Sequence, residues 1–280
     1  MDYKELIFRK LPEQWSTDLL VVALGENGFD SFEELDEQLK AYIPIADYDE
    51  SALHQNGIIK QAIDQHLLAE NRIKAENWNA RWENSFEPVV VDDRCVVRAT
   101  FHPSQGQFEH EIVIDPKMSF GTGHHQTTYL MLKALLDLDV TGTSFLDMGC
   151  GTGILAILAA RMHAAKVLAI DYDEWAYNNA VENVKLNDCE QIDVVHGDVS
   201  FLQNHRFNII LANINKNIVL RDLEHYSNHL LPGGILLLSG FYESDAADVT
   251  NKAMEYSLVL RDTAAQNDWT MLKFEKENTP

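Results

Sequence analysis

The rhythm of hydrophobic and polar positions changes twice along this chain, and each change predicts a change of architecture. Up to about residue 77 the apolar runs are short. "YKELIFRK" alternates like a strand. "PEQWSTDLLVVALGENG" has helix periodicity between Pro12 and Gly28, which suit a helix start and a helix end. "FDSFEEL" and "QLKAYIPI" predict two strands, "DESALHQNGIIKQAIDQHL" one helix and "NRIKAEN" a closing strand. That order, βαββαβ, predicts a small ferredoxin-like α+β domain over residues 1–77. Residues 78–88 read as an interdomain linker, in which Trp78 and Trp82 would share one face of a helix.

A second domain is predicted over residues 89–280. "PVVVDDRCVVRATF" and "HEIVID" are short and β-branched, an antiparallel lead-in. Beyond residue 125, apolar strands ("SFLDMG", "KVLAID", "IDVVHGD", "FNIILANI", "ILLLSG") alternate with amphipathic helices, and "PGG" turns into the last of these strands. "LVLRDTAAQNDWTMLKFEK" closes the chain as a strand hairpin. Such alternation predicts an α/β, Rossmann-like domain whose parallel sheet is covered on both faces.

Composition narrows the function classes. With 44 acidic against 22 basic residues, a net charge of −22, the chain lacks the cationic footprint on which nucleic-acid binding draws, and it should approach a basic partner readily. No apolar run approaches the length of a membrane span, and "MDYKELIFRK" has no apolar signal core, so the expected location is cytoplasmic. Cys95, Cys150 and Cys189 show no metal-like spacing and fit a reducing compartment. His124 and His125 have no acid at helical spacing to complete a metal site, so no metal is expected.

The chemistry concentrates in "FLDMGCGTG". Gly149, Gly151 and Gly153 remove side chains at a strand end, where open parallel sheets bind ligands. Asp171 closes the next strand, 22 residues after Gly149, where a carboxylate can accept from both ribose hydroxyls of an adenosine. A dinucleotide turn would place its third glycine at position 154, which is Ile154 here, and Asp147 would add negative charge beside a pyrophosphate. A cationic adenosine ligand fits better, and S-adenosylmethionine, with its sulfonium and α-ammonium, is the predicted cofactor. For Asp198, after the third strand, two readings stand: a partner for the adenine amino group, or a loop acid in solvent.

Asn213 ends the fourth strand in "LANIN". Amino methyltransferases place an Asn at this point within "NPPY", where its carbonyl orients a target nitrogen. Here Ile214, Asn215 and Lys216 replace the Pro-Pro-aromatic part, which would stack a flat base, so an aliphatic amine is the better candidate. In "DPKMSFGTGHHQTT", Thr127 and Thr128 fall in the first turn of a helix, where hydroxyls and free N–H groups can meet a carboxylate such as that of methionine. For His124 and His125 two readings remain open, lining a channel for the amine or finishing the helix end.

Taken in order and spacing, "DPKMSFGTGHHQTT", "DMGCGTGILAI", "AIDYD" and "ANI" resemble the bacterial ribosomal protein methyltransferases that modify large-subunit protein eleven, the stalk-base protein. "NWNARWENSFEPVVVDDR" resembles the segment that joins the two domains in their Bacteroidetes-type members. The resemblance implies a class I methyltransferase domain, cofactor contacts at Thr128, Gly149, Asp171 and Asn213, and a small N-terminal domain that recognises the ribosomal protein. It also implies methylation of lysine ε-amines and of the N-terminal α-amine. "ANIN" departs from the more usual "ANIL". On these residues the candidate catalytic positions are Asn213 and His124, and the candidate cofactor positions are Thr128, Gly149, Gly151, Gly153, Asp171, Asp198 and Asn213. An RNA amino-methyltransferase or a small-molecule amine N-methyltransferase would share the fold. The chain is expected to act as a monomer.

Overall fold

The computed structural model describes residues 2–9, 17–35, 38–65, 67–73, 86–115, 117 and 119–277. Its contacts divide the chain into two compact units, Met1–Ser85 and Phe86–Pro280. The predicted linker falls mostly outside the described residues, as do Trp78 and Trp82.

The first unit runs β1 (Tyr3–Arg9), α1 (Thr17–Gly25), β2 (Ser31–Leu35), β3 (Gln38–Pro44), α2 (Glu50–Gln55), α3 (Gly57–Asp64) and β4 (Leu68–Ile73). The four strands form one antiparallel sheet in the order β2-β3-β1-β4. Alternation decides which face is buried: Leu6, Phe8, Leu39 and Ile43 meet Leu20, Leu24 and Ile59 from the helices in one apolar cluster. The single helix expected after residue 49 is two. Asn56 is extended (φ −81°, ψ 121°), and its side chain accepts from the N–H groups of Ile58 and Ile59, so it ends α2 and caps α3. The closing strand begins earlier than expected, at Leu68.

In the second unit, β5 (Val89–Val91), β6 (Cys95–Ala99) and β7 (His110–Ile114) form a three-stranded sheet in that order. The antiparallel expectation holds for β5 and β6, which turn through Asp92 and Asp93, but β6 and β7 are parallel. Residues 100–109 carry the chain back to the start of β6. Glu111 staples this crossover by accepting from Arg98 Nε (2.7 Å), Ser104 Oγ (2.9 Å) and the N–H groups of Gln105 and Gly106.

The larger sheet contains β8 (Ser144–Met148), β9 (Lys166–Asp171), β10 (Ile192–His196), β11 (Phe207–Asn213), β12 (Leu230–Tyr242), β13 (Leu258–Gln266) and β14 (Trp269–Lys276). Their order is β10-β9-β8-β11-β12-β14-β13. The strands run parallel except β14, which lies antiparallel between β12 and β13 as the predicted hairpin. Interleaved are α4 (Gln126–Leu136), α5 (Ile154–Arg161), α6 (Glu174–Leu186), α7 (Lys216–His229) and α8 (Ala246–Met254). Two apolar clusters cover the sheet, one with α4 and α5, the other with α7 and α8. "PGG" does not precede β12 but lies inside it. The register with β11 jumps between Phe207↔Leu230 and Ile209↔Ile235, and the bulge absorbs Pro232 and both glycines. Strand order reverses between β8 and β11, so the crevice for a ligand opens at their carboxyl ends.

Candidate active site

The turn after β8 is held on every side. Gly149 N–H donates to the Ile170 carbonyl (2.8 Å), and Gly151 N–H donates to Asp171 Oδ2 (2.8 Å). Asp171 Oδ1 accepts from Asp173 N–H (3.0 Å), so each carboxylate oxygen keeps acceptor capacity for a hydroxyl. Gly151 has φ +54°, and a Cβ there would lie 2.2 Å from the Phe120 carbonyl oxygen. This glycine therefore makes room for the segment ahead of α4, rather than directly for a ligand. Thr152 completes the junction: its N–H donates to Phe120 O (2.9 Å) and its hydroxyl to Gly121 O (2.5 Å). Gly153, at φ +78°, opens α5 and faces Ala180 of α6. Asp147 is buried beneath the turn, where its Oδ2 accepts from Ala156 N–H. Burial first, and then the neighbouring Asp171 charge, push its carboxyl up to about 7.

The turn after β11 has a different support. Ile214 N–H donates to the Ser239 carbonyl (3.0 Å), which fixes the chain across the start of the turn. Gly240, at the same level on β12, has φ +95°, and a Cβ there would lie 2.3 Å from the Ile214 carbonyl oxygen. Asn213 Nδ2 donates to the hydroxyl of buried Thr128 (3.4 Å), while its Oδ1 is buried and meets no donor. A buried carbonyl oxygen without a donor is costly.

Between the two turns lies a cavity of about 950 Å³, within the range of small-molecule sites. Of the predicted residues it is lined by Gly149, Gly151, Asp171, Asp198 and Asn213. Gly153 and Thr128 stand behind its wall, Thr128 acting through Asn213. His124 does not line it; its ring meets the Glu87 carbonyl, the Thr122 hydroxyl and the Phe86 ring. His125 finishes the helix end, because its Nδ1 accepts from Thr127 N–H as the cap of α4. Asp198 is exposed and borders the cavity, and it caps a short turn by accepting from Ser200 N–H. The Ser200 hydroxyl first, and then its N–H, hold the Asp198 carboxyl below the usual range.

Several contributors escaped the sequence reading. Tyr172 and Trp175 line the cavity although 73% and 77% exposed, and Phe120 does so at 52%. Apolar surface left open around a concave site is available to a flat ligand. "DYDEWAY" holds the signal, with aromatic residues on both sides of an acid-rich helix start. Asp222, buried on α7 and bridged by Arg221 through two bonds (2.7 and 2.9 Å), also borders the cavity. The lining thus counts four carboxylates (Asp171, Asp173, Asp198, Asp222) against two cations (Lys117, Arg221), a balance that favours a cationic ligand. Lys216 is no part of it, being tied to Asp245 (2.5 Å) and Asp248. Cys95, Cys150 and Cys189 are free and buried. Among the described residues no cluster suits a metal ion, and no helix is long and apolar enough to cross a membrane.

Comparison with known proteins places this geometry. Residues 22–277 match the family model of ribosomal protein L11 methyltransferase. A ribosomal protein L11 methyltransferase of Porphyromonas gingivalis is 45% identical over 266 residues, covering 93% of this chain and 91% of the relative. One from Bacteroides fragilis is 42% identical over 280 residues, covering 98% and 99%. Among solved structures, the ribosomal protein L11 methylase of Lactobacillus delbrueckii subsp. bulgaricus superposes with a TM-score of 0.64 at 24% identity, over 69% of this chain and all of that one.

Proposed function

The chain belongs to the ribosomal protein L11 methyltransferase family, and from that premise we propose that it transfers methyl groups from S-adenosylmethionine to amines of large-subunit ribosomal protein L11. The observation that carries the reading is Asn213, which lines the cavity between the two turns and whose buried Oδ1 is an acceptor without a donor. The residues present fit the cofactor. Asp171 retains acceptor capacity for ribose hydroxyls, Asp198 stands one strand further out, and the acidic lining matches a ligand with two cationic centres. When bound, the cofactor supplies an already activated methyl group on its sulfonium.

What remains for the protein is placement. A lysine amine, with an ordinary pKa of roughly 10.4, carries no lone pair at neutral pH. A partly dry channel and a neighbouring positive charge lower that value, and the proton can leave to water. Asn213 Oδ1 then accepts one N–H of the neutral amine and turns its lone pair towards the cofactor side, while Thr128 holds the amide from behind. Lysine ε-amines and the N-terminal α-amine are the targets proposed. No step uses His124, which stays outside the cavity lining.

In the same reading the first unit is a ferredoxin-like domain that docks the ribosomal protein, with residues 78–88 as the linker to the catalytic domain at 89–280. The acidic balance suits a partner rich in basic residues and disfavours direct RNA recognition, and the enzyme would work in the cytoplasm as a monomer. The test is to incubate the purified protein with methyl-labelled S-adenosylmethionine and undermethylated ribosomal extract, then to treat with protease or ribonuclease. Label on one ribosomal protein, lost with protease alone, is the expected result. Label lost with ribonuclease alone would make the enzyme an RNA methyltransferase.

A further inference from the structure

Asn179 and Asn183 of α6 and Asn187 at its C-cap recur every four residues and are all buried. Polar side chains on a buried helix face need partners. Theirs come from the backbone of β7 and the residue after it. Val113 N–H donates to Asn187 Oδ1 (2.9 Å), and Asn187 Nδ2 returns a bond to Val113 O (2.6 Å). Two residues on, Asp115 N–H donates to Asn183 Oδ1 (2.8 Å) and Asp115 O accepts from Asn179 Nδ2 (3.2 Å). Spaced like alternate residues of a strand, the amides pair the free edge of β7 as a neighbouring strand would.

Asn183 differs from Asn187 in what it does with its remaining hydrogens. Its Nδ2 donates to the carbonyl of Thr152 (3.0 Å), inside the glycine turn, whereas Asn187 Nδ2 turns back to Asn183 O of its own helix. Thr152 in turn uses its N–H and hydroxyl on the carbonyls of Phe120 and Gly121. The bonds close a ring from Asp115 through Asn183 and Thr152 to Phe120 and Gly121, the two ends of one stretch of chain. That stretch carries Lys117, Ser119 and Phe120, which line the cavity.

We propose that Asn183 is a positioning residue for the cofactor: through Thr152 it locks the glycine turn to Asp115 on one side and to Phe120 and Gly121 on the other as one cradle, so that losing it opens the cradle. Asn187, also buried and with three side-chain bonds to backbone against two for Asn183, fastens β7 to its own helix and makes no bond to the glycine turn. The proposal rests on the reading of this cavity as an S-adenosylmethionine site.

The matched variants Asn183→Ala and Asn187→Ala separate positioning from structure. Each is measured by thermal unfolding and by calorimetric titration with S-adenosylhomocysteine, well below the melting temperature. Both should melt lower by similar amounts. Asn183→Ala should weaken binding by about tenfold and Asn187→Ala by less than about twofold, in line with one or two lost hydrogen bonds. A folded Asn183→Ala that binds within about twofold of wild type, or an Asn187→Ala that weakens binding equally, would overturn the proposal. Should Asn183→Ala not fold, Thr152→Val breaks the same ring at the hydroxyl–Gly121 bond while keeping the residue's size. Unchanged binding by that variant would overturn the proposal as well. Failure of the wild-type protein to bind S-adenosylhomocysteine would instead remove the cofactor reading itself.

Discussion

The turn after β8 and the turn after β11 leave adjacent strands at the same edge of one sheet, yet they are built on opposite plans. In the first, Thr152 uses its N–H, hydroxyl and carbonyl, Gly151 N–H is taken by Asp171, and the Phe120 carbonyl fills the space a side chain would occupy. In the second, Ile214 lies close against Gly240, and the buried Oδ1 of the cavity-lining Asn213 has no donor. A satisfied turn has nothing left to change on ligand binding, which is what holding a cofactor in one place requires. An unsatisfied acceptor is a standing cost recovered only when a donor arrives, which is what aiming an incoming amine requires. On the proposed function, the difference suits binding at one turn and chemistry at its neighbour.

The comparison breaks hardest at Gly151. With φ +54° and a backbone oxygen 2.2 Å from any added Cβ, Gly151→Ala must displace the Phe120 segment. Cofactor affinity should fall on the order of a hundredfold, as strain of roughly 3 kcal/mol implies, measured by calorimetry on folded protein. Gly240→Ala attacks the other turn by pushing on the Ile214 backbone. Turnover should drop by tens of fold, since small misplacements are expensive near the reacting atoms, while cofactor affinity changes by less. Equal losses in both quantities would erase the proposed division.

Asp171→Asn keeps the shape and removes the charge. Affinity should fall by about tenfold, the order expected for weakened charge-assisted bonds to two hydroxyls, with turnover at saturating cofactor nearly unchanged. The smallest effect expected is at Asp147. Its carboxyl is raised by burial from the ordinary 3.8 to about 7, so the folded chain keeps a proton there that the unfolded chain has released. That contribution to stability is complete below the unfolded pKa and fades as pH rises through 7. Asp147→Asn, which cannot titrate, should therefore gain in melting temperature relative to wild type between about pH 4 and pH 8. A constant difference across that range would mean Asp147 does not titrate there.

Sequence made the glycine turn far easier to read than its neighbour, for a physical reason. Glycine spacing, the strand before it and Asp171 are local signals, all written between Ser144 and Asp171. What supports the turn after β11 is remote: Gly240 gains its role only when β12 is seen beside Ile214, and Thr128, expected as a cofactor contact, is instead seen accepting from Asn213. Of the elements that differ from the sequence expectation, one does so through a local cap and one through tertiary pairing. The Asn56 break needed the capping bonds to be seen, and the parallel pairing of β6 and β7 depends on Glu111 gathering a crossover that looks like an ordinary loop. The order of strands and helices in the larger sheet was plain from periodicity alone, because each helix has an apolar face to bury.

The division between holding and aiming is tested most directly in the Asn213→Ala variant, by measuring cofactor affinity and single-turnover methyl transfer to ribosomal protein L11 on the same preparation. The account predicts affinity within about twofold of wild type and transfer slower by roughly tenfold, the scale of one lost orienting bond. Transfer within about twofold of wild type, or affinity falling as far as transfer does, would contradict it.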